Sequence, residues 1–388
     1  MNASILHNET KDVFCANPFL HLIVETDGRM SFCCLASRSS DDQNINTHSV
    51  EQAWQDPVRL SVIDSIKKGE PNPACNLCWK TESLGSVSYR HNVNKRYLLN
   101  KNNFSKFLPQ ITPGETFVDI EIQHTNTCNL KCGMCYEKNT HSLAAENRQL
   151  GISDSQLVYN WDIAKVADKI SDTKWLSIRG GEPLINQELQ DQVNLWIDQG
   201  LLDNTTLCIT TNATKIDRWW STLERIPKLQ IMASVDGFGD VYNYLRFPGN
   251  WDITSNNILD LQTLAPVSIH CVVQNMNIFS LHKLVEWADQ YKMPVDLYPL
   301  DNPEIYRTTN LPQGLLDSSI KRLENLDLKQ QKTVGQVTGI LKYLKSYASN
   351  MTDWDAFWNM TYMRQSIRGN NILDAFPELS NYTRPRLS

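Results

Sequence analysis

No run of apolar residues in this 388-residue chain approaches the roughly 18 needed to cross a bilayer as a helix, which argues against residence in a membrane. The N-terminus, MNASILHNETKD, lacks a basic stretch followed by an apolar core, so nothing marks the chain for an oxidising compartment and a cytoplasmic location is expected. There is no long basic run, and the formal net charge is −6, so a phosphate-dominated partner such as nucleic acid is disfavoured. Neither a repeat of fixed period nor a low-complexity tract is present. What is left, 41% hydrophobic and 21% charged residues, is a globular composition. The length suits two or three domains, or one large barrel with appendages.

Cysteine, by contrast, is plentiful. In a reducing compartment ten cysteines read as metal ligands or catalytic thiols rather than a disulfide framework. Five precede residue 80 (Cys15, Cys33, Cys34, Cys75, Cys78), three crowd into CNLKCGMC (Cys128, Cys132, Cys135), and Cys208 and Cys271 stand alone. These last two fall inside strand-like segments, where a thiol serves as a small buried hydrophobe.

From about residue 116 the chain alternates strand-like and helix-like segments, the pattern of βα units around a parallel sheet or barrel. Strands are expected at 117–125, 174–183, 206–212, 229–237, 267–275 and 295–300. Helices are expected at 153–170, capped by Ser153 or Asp154 and carrying Leu157, Trp161, Ala164, Ala167 and Ile170, and at 186–200, closed by Gly200. Two prolines and a glycine in FLPQITPG (107–114) mark a linker. Beyond about residue 310 the pattern is helical without strands. The aromatics Trp354, Phe357, Trp358 and Tyr362 fall in this tail and read as packing. The expected division is a cysteine-rich module at 1–108, a six-fold βα core at 116–310 and a helical extension at 311–388.

A structural zinc site wants four closed ligands, commonly two C-x2-C pairs. CNLKCGMC offers three, spaced C-x3-C-x2-C. On a four-iron cubane, three thiolates leave one iron open to a substrate or cofactor. Gly133 permits a tight turn around a cluster, and the loop follows the first core strand, at the face where barrel enzymes keep their chemistry. A partial zinc site is the alternative on these residues alone. Near the N-terminus, HLIVETDGRMSF reads as a hairpin turning at Asp27-Gly28 that brings Cys15 towards Cys33 and Cys34. A helix follows, then C-x2-C at Cys75 and Cys78. Four thiolates thus converge on one closed site, zinc or cubane by spacing alone.

With Cys128, Cys132 and Cys135 so spaced, the chain resembles a radical S-adenosylmethionine (SAM) enzyme. The resemblance implies an α/β fold, a partial (β/α)6 TIM-like barrel, and a [4Fe-4S] cluster whose open iron chelates SAM. It also implies reductive cleavage of SAM to a 5′-deoxyadenosyl radical that takes hydrogen from a substrate. The residue before the third cysteine is often aromatic in this family; here it is Met134. RGGEP (179–183) resembles the family's GGE motif, so Gly180, Gly181 and Glu182 are expected at the SAM amino group. Ser234 and Arg246 are implied at its carboxylate, with Asp236 beside them, and Asn212 and Gln274 at the ribose or substrate. The N-terminal segment is similar to the auxiliary-cluster region of the SPASM and twitch subfamilies, since Gly28 and Cys33 match their G-x4-C. One auxiliary [4Fe-4S] cluster on Cys15, Cys33, Cys75 and Cys78 is implied, with Cys34 able to replace Cys33. The module here precedes the barrel instead of following it. A flavodoxin or ferredoxin is implied as low-potential electron donor. The expected reaction is hydrogen abstraction and oxidation, on a peptide or protein or, alternatively, on a sugar or small metabolite. The competing class is a non-enzymatic zinc or iron–sulfur binding protein.

Overall fold

The computed structural model describes residues 12–37, 43–83, 87–99, 116–154 and 158–385; the linker expected at 107–114 lies outside them. The N-terminal hairpin forms as the Asp27-Gly28 turn predicts. β1 (His21–Val24) and β2 (Met30–Ser31) pair antiparallel, and Gly28 takes φ +82°, the left-handed region the turn requires. Helix α1 (Pro57–Lys68) starts on the Asp56 side chain, which accepts the Arg59 N–H, and stops at left-handed Gly69.

The expected core strands follow as β3 (Asp119–Gln123), β4 (Trp175–Arg179), β5 (Thr206–Thr211), β6 (Leu229–Ser234), β7 (Val267–Val273) and β8 (Val295–Pro299). They hydrogen-bond in sequence order, all parallel. The main helices between and after them are α2 (His141–Gln149), α3 (Gln187–Asp198), α4 (Trp251–Leu264), α5 (Leu281–Gln290), α6 (Gln313–Glu324), α7 (Gln331–Lys345) and α8 (Trp354–Arg368). The sheet has eight strands because the hairpin joins it: β1 lies parallel to β3, with His21 opposite Asp119 and Val24 opposite Ile122. The N-terminal module therefore supplies the first two strands of the same sheet. Sequence reading placed it apart because nothing in a four-residue apolar strand names its partner.

The strands bury two unlike faces. Leu22, Ile120, Ile122, Leu176, Ile178, Leu207, Ile209, Ile231, Ile269 and Val295 turn to the helices and form the main core. The opposite, inner face carries Glu121, Arg179, Cys208, Thr210, Ser234 and His270, in register across neighbouring strands. Cys208 therefore sits on the polar face, buried, while Cys271 is in the apolar core. The sheet does not close on itself. At its β8 edge, α7 covers the strand: Val295 N–H donates to Thr333 Oγ1 at 3.3 Å and Leu297 N–H to Gln336 Oε1 at 3.2 Å, which satisfies donors an edge would otherwise expose.

The helix expected at 153–170 is a correction. Among the described residues of this segment, helical backbone begins only at Ile163, where Asp162 caps Ala164, and ends at Ile170; Leu157 lies outside the described residues. Tertiary bonds win over the apolar period. Asn160 bridges Thr125, Tyr159 N–H donates to Asn126 Oδ1 at 3.0 Å, and the Trp161 indole N–H donates to Gln123 O at 3.2 Å. The helix of this crossover is instead α2, directly after the third cysteine. In the tail, Trp354, Phe357 and Trp358 are buried as packing residues.

A second small core (Phe14, Phe19, Leu20, Phe32, Val62, Ile66) holds the N-terminal module together. Its join to the sheet is Arg59, fully buried, whose guanidinium donates to Pro18 O and His21 O at 3.2 and 2.8 Å and stacks over Trp54 and Phe117. Replacing Arg59 with Met keeps the volume but strands two buried carbonyls, each worth about 1–3 kcal/mol. A loss of about 2–4 kcal/mol is expected for Arg59→Met, read as a lower denaturant midpoint.

Candidate iron–sulfur and cofactor site

The three central thiols occupy the loop leaving β3, at the C-terminal end of the parallel strands, and that loop is fixed from several sides. Cys128 N–H donates to His141 Nδ1 at 3.1 Å, Ser142 Oγ donates to Cys128 O at 2.5 Å, and Thr140 Oγ1 donates to Leu130 O at 3.1 Å. The start of α2 thus pins the loop it follows. Lys131 N–H donates to Phe247 O at 2.7 Å, and Cys135 N–H to Cys132 O at 3.0 Å. Cys128 and Cys132 are buried, with Cys135 partly so. Burial pushes the Cys128 thiol up to about 12 and raises Cys132 and Cys135 as well, while Arg246 and Arg368 pull Cys132 back towards the thiolate. Such thiols ionise only against a metal.

The GGEP segment serves this loop directly. Gly181 N–H donates to Thr125 O at 2.7 Å and Glu182 N–H to Thr127 O at 2.8 Å. A Cβ on Gly180 would stand 2.6 Å from Thr125 O, and one on Gly181 2.1 Å from Thr127 O. The glycines are thus required by backbone packed on backbone, where sequence reading had them admit a ligand. Glu182 is buried at the centre of a brace: its carboxylate accepts Leu184 N–H at 3.1 Å, Thr211 Oγ1–H at 2.5 Å and Asn212 N–H at 2.6 Å. Asn212 passes the constraint on, since its amide donates to Asn129 Oδ1 at 3.0 Å and lies 3.9 Å from Cys128 Sγ. Thr214 closes the ring by donating to Asn212 Oδ1 and accepting from Asn129.

On the next strands Ser234 lies half-buried at the end of β6, opposite His270. Arg246 donates through Nε and Nη2 to Asp236 Oδ2 at 2.8 and 2.7 Å, and Asp236 Oδ1 accepts Val272 N–H at 2.8 Å. Asp236 is wholly buried, so it reaches the site through Arg246. Gln274, at the end of β7, is fully buried with neither amide atom hydrogen-bonded. A buried amide without a protein partner calls for a water or a ligand group to satisfy it. Glu182, Asn212, Ser234 and Gln274 thus lie at or just beyond the ends of successive strands, while Arg246 follows the short helix after β6. Sequence reading missed their braces, Asn129, Thr211, Thr214, His141 and Ser142, whose signal is only polarity beside the motifs.

Cys15, Cys33, Cys75 and Cys78 line one cavity of the N-terminal module, with Trp79, Tyr89 and Arg90; Cys34 lies outside it and is exposed. Burial pushes Cys15 up to about 12 and Cys75 to about 11, and Arg90 opposes both shifts. Among the described residues no three His, Cys, Asp or Glu side chains converge tightly enough to hold a single ion, whereas zinc draws its sulfurs to within about 3.8 Å of one another. Both thiol sets offer the sulfur donors that an iron–sulfur cluster takes.

Burial also pushes Glu182 up to about 7, against the pull of its three donors. Its folded value lies above its ordinary one, so this carboxyl favours folding below about pH 4.5 and loses that contribution as pH rises through about 7. Denaturation of metal-free Glu182→Gln should show its deficit against the parent protein largest near pH 4.5 and shrinking through pH 7.

A family described as the radical SAM superfamily matches residues 122–288, and SPASM, an iron–sulfur cluster-binding domain, matches residues 15–79. No curated protein matches the sequence. Similar solved structures include native anSMEcpe with bound AdoMet (16% identity, 53% of this chain and 58% of that one, TM-score 0.40). Another is Streptococcus suis SuiB bound to S-adenosylmethionine (13% identity, 94% and 74%, TM-score 0.35). The aligned region spans about six tenths of the length of anSMEcpe. A SAM-binding [4Fe-4S] cluster, an auxiliary cluster and SAM itself are the cofactors these domains carry. The chain belongs to the radical SAM superfamily, with its SPASM domain placed ahead of the core in the sequence.

Proposed function

We propose that this protein oxidises a peptide or protein substrate held on the polar inner face of the sheet, between a SAM-binding cluster on Cys128, Cys132 and Cys135 and an auxiliary cluster on Cys15, Cys33, Cys75 and Cys78. The bound cluster and SAM together supply a 5′-deoxyadenosyl radical able to remove a substrate hydrogen atom. The chain's own residues hold and shield. Asn212 and the Glu182 brace fix the first thiol, Gln274 offers both halves of an amide to the cofactor, and Ser234 and Arg246 meet its carboxylate. Gly180 and Gly181 offer backbone at its amino group, and Glu182, its carboxylate already bonded to three donors, braces the loop behind them.

The observation that carries this reading is the inner face itself. Arg179 lies 3.5 Å from Glu121, and His270 stacks on Tyr298 with ring centroids 4.7 Å apart. Arg179 is 40% and Tyr298 44% exposed, so the face is both polar and reachable. Tyr89 lines the N-terminal thiol cavity, where burial raises its hydroxyl, the charge of Glu121 adding to the rise and that of Arg179 opposing it. The N-terminal thiols would hold the group that takes up an electron released by the substrate. A face reachable from solvent suits a side chain presented by a larger molecule better than an enclosed metabolite.

Anaerobic reconstitution should give about eight irons per chain, four for each cubane, and SAM-dependent 5′-deoxyadenosine. Cys128→Ala should abolish that product. Cys75→Ala should retain SAM cleavage and lose substrate oxidation. Stimulation of 5′-deoxyadenosine formation by the peptide fraction of a cell extract supports the substrate class; stimulation confined to the small-molecule fraction contradicts it.

A further inference from the structure

The C-terminal helix α8 sends two arginines, one turn apart, into the loop that carries the central thiols. Arg368 donates to Lys131 O at 2.6 Å and to both carboxylate oxygens of Glu146, at 2.6 and 3.0 Å. Glu146 is buried on α2. Arg364 is the second arginine, buried at 8% exposure. Its Nε lies 3.8 Å from the same Glu146 carboxylate, and its Nη2 is 3.5 Å from Asn147 Oδ1. One carboxylate thus faces two guanidinium groups. Among the described residues Arg364 Nη1 has no hydrogen-bond partner.

The position of that nitrogen is specific. A Cβ built on Gly133 would lie 2.2 Å from Arg364 Nη1, with Tyr306 Oη at 3.4 Å. The guanidinium fills the space that Gly133 leaves open, between Cys132 and Cys135. A buried N–H donor carrying positive charge without an acceptor is costly. The anionic sulfurs of a cluster on this loop are the acceptor it lacks.

We propose that Arg364 is a positioning residue for the SAM-binding cluster, donating a hydrogen bond to its sulfur and raising its reduction potential. The inference rests on the assignment of that cluster to Cys128, Cys132 and Cys135. Reduction adds one negative charge, a nearby cation and a hydrogen bond to sulfur both favour the reduced form, and the potential rises. The helical extension, far downstream of Gly133 and chemically silent in the sequence, would then set how readily the cluster accepts its electron.

The test is a redox titration of the anaerobically loaded holoenzyme followed by EPR, with the relevant signal identified by its change on adding SAM. Arg364→Gln should keep its iron and shift the midpoint to a more negative potential; Arg364→Lys, which keeps the charge but loses the planar fork, should fall between. Gly133→Ala, whose methyl group displaces Nη1, should shift in the same direction, and the double variant should add little to Arg364→Gln alone. An iron-loaded Arg364→Gln with the parent potential overturns the proposal. If that variant does not load, Gly133→Ala decides: a negative shift supports the role and an unchanged midpoint refutes it. Absence of any SAM-sensitive signal in the parent protein overturns both the cluster assignment and the inference.

Discussion

The close seating of residues 180–182 on residues 125–127 is the contact the site depends on. Two backbone hydrogen bonds and two glycines without room for a Cβ lock the end of β4 against the start of the cysteine loop. Glu182 then ties that junction to β5, and Asn212 carries it to Cys128. Thiolates on a flexible loop would lose most of their affinity to ordering entropy; here the loop's entry is set by the sheet before any metal arrives. Ser234 closes β6, Gln274 follows the last residue of β7, and Arg246, at the end of the short helix after β6, is held by Asp236.

The second organising feature is the merging of the N-terminal module with the barrel sheet. β1 extends the parallel sheet, Arg59 plugs its junction, and Lys138, just past the third cysteine, donates to Glu25 at 2.8 Å while Thr26 donates to Lys138 O. The hairpin that carries Cys33 therefore touches the segment leaving Cys135. A domain placed ahead of the core in the sequence can in this way face the same inner surface as one placed after it. Position along the chain matters less than which edge of the sheet is left to be covered.

Much of this was legible in the sequence, and the reason is period. The strands β3 to β8 announce themselves by apolar runs bounded by turn residues, and C-x3-C-x2-C followed by GGE is too particular in spacing and place to be incidental. The 153–170 segment misled because its apolar residues fit a helix, while Asn126 and Gln123 hold Tyr159 and Trp161 by tertiary bonds. The pairing of β1 with β3 and the covering of β8 by α7 are long-range choices that no local pattern encodes. The same holds for the arginines of α8. Nothing in the tail's sequence singles them out, and only the fold shows both buried against Glu146 and the cysteine loop.

The central claim is that three protein sulfurs hold a four-iron cluster and leave one iron for SAM. Mössbauer spectroscopy of the anaerobically loaded protein, before and after SAM is added, addresses it most directly. One iron of the cluster at the CNLKCGMC loop should become distinct from its three neighbours on binding SAM. A spectrum indifferent to SAM, or zinc at that loop in place of iron, would contradict the account.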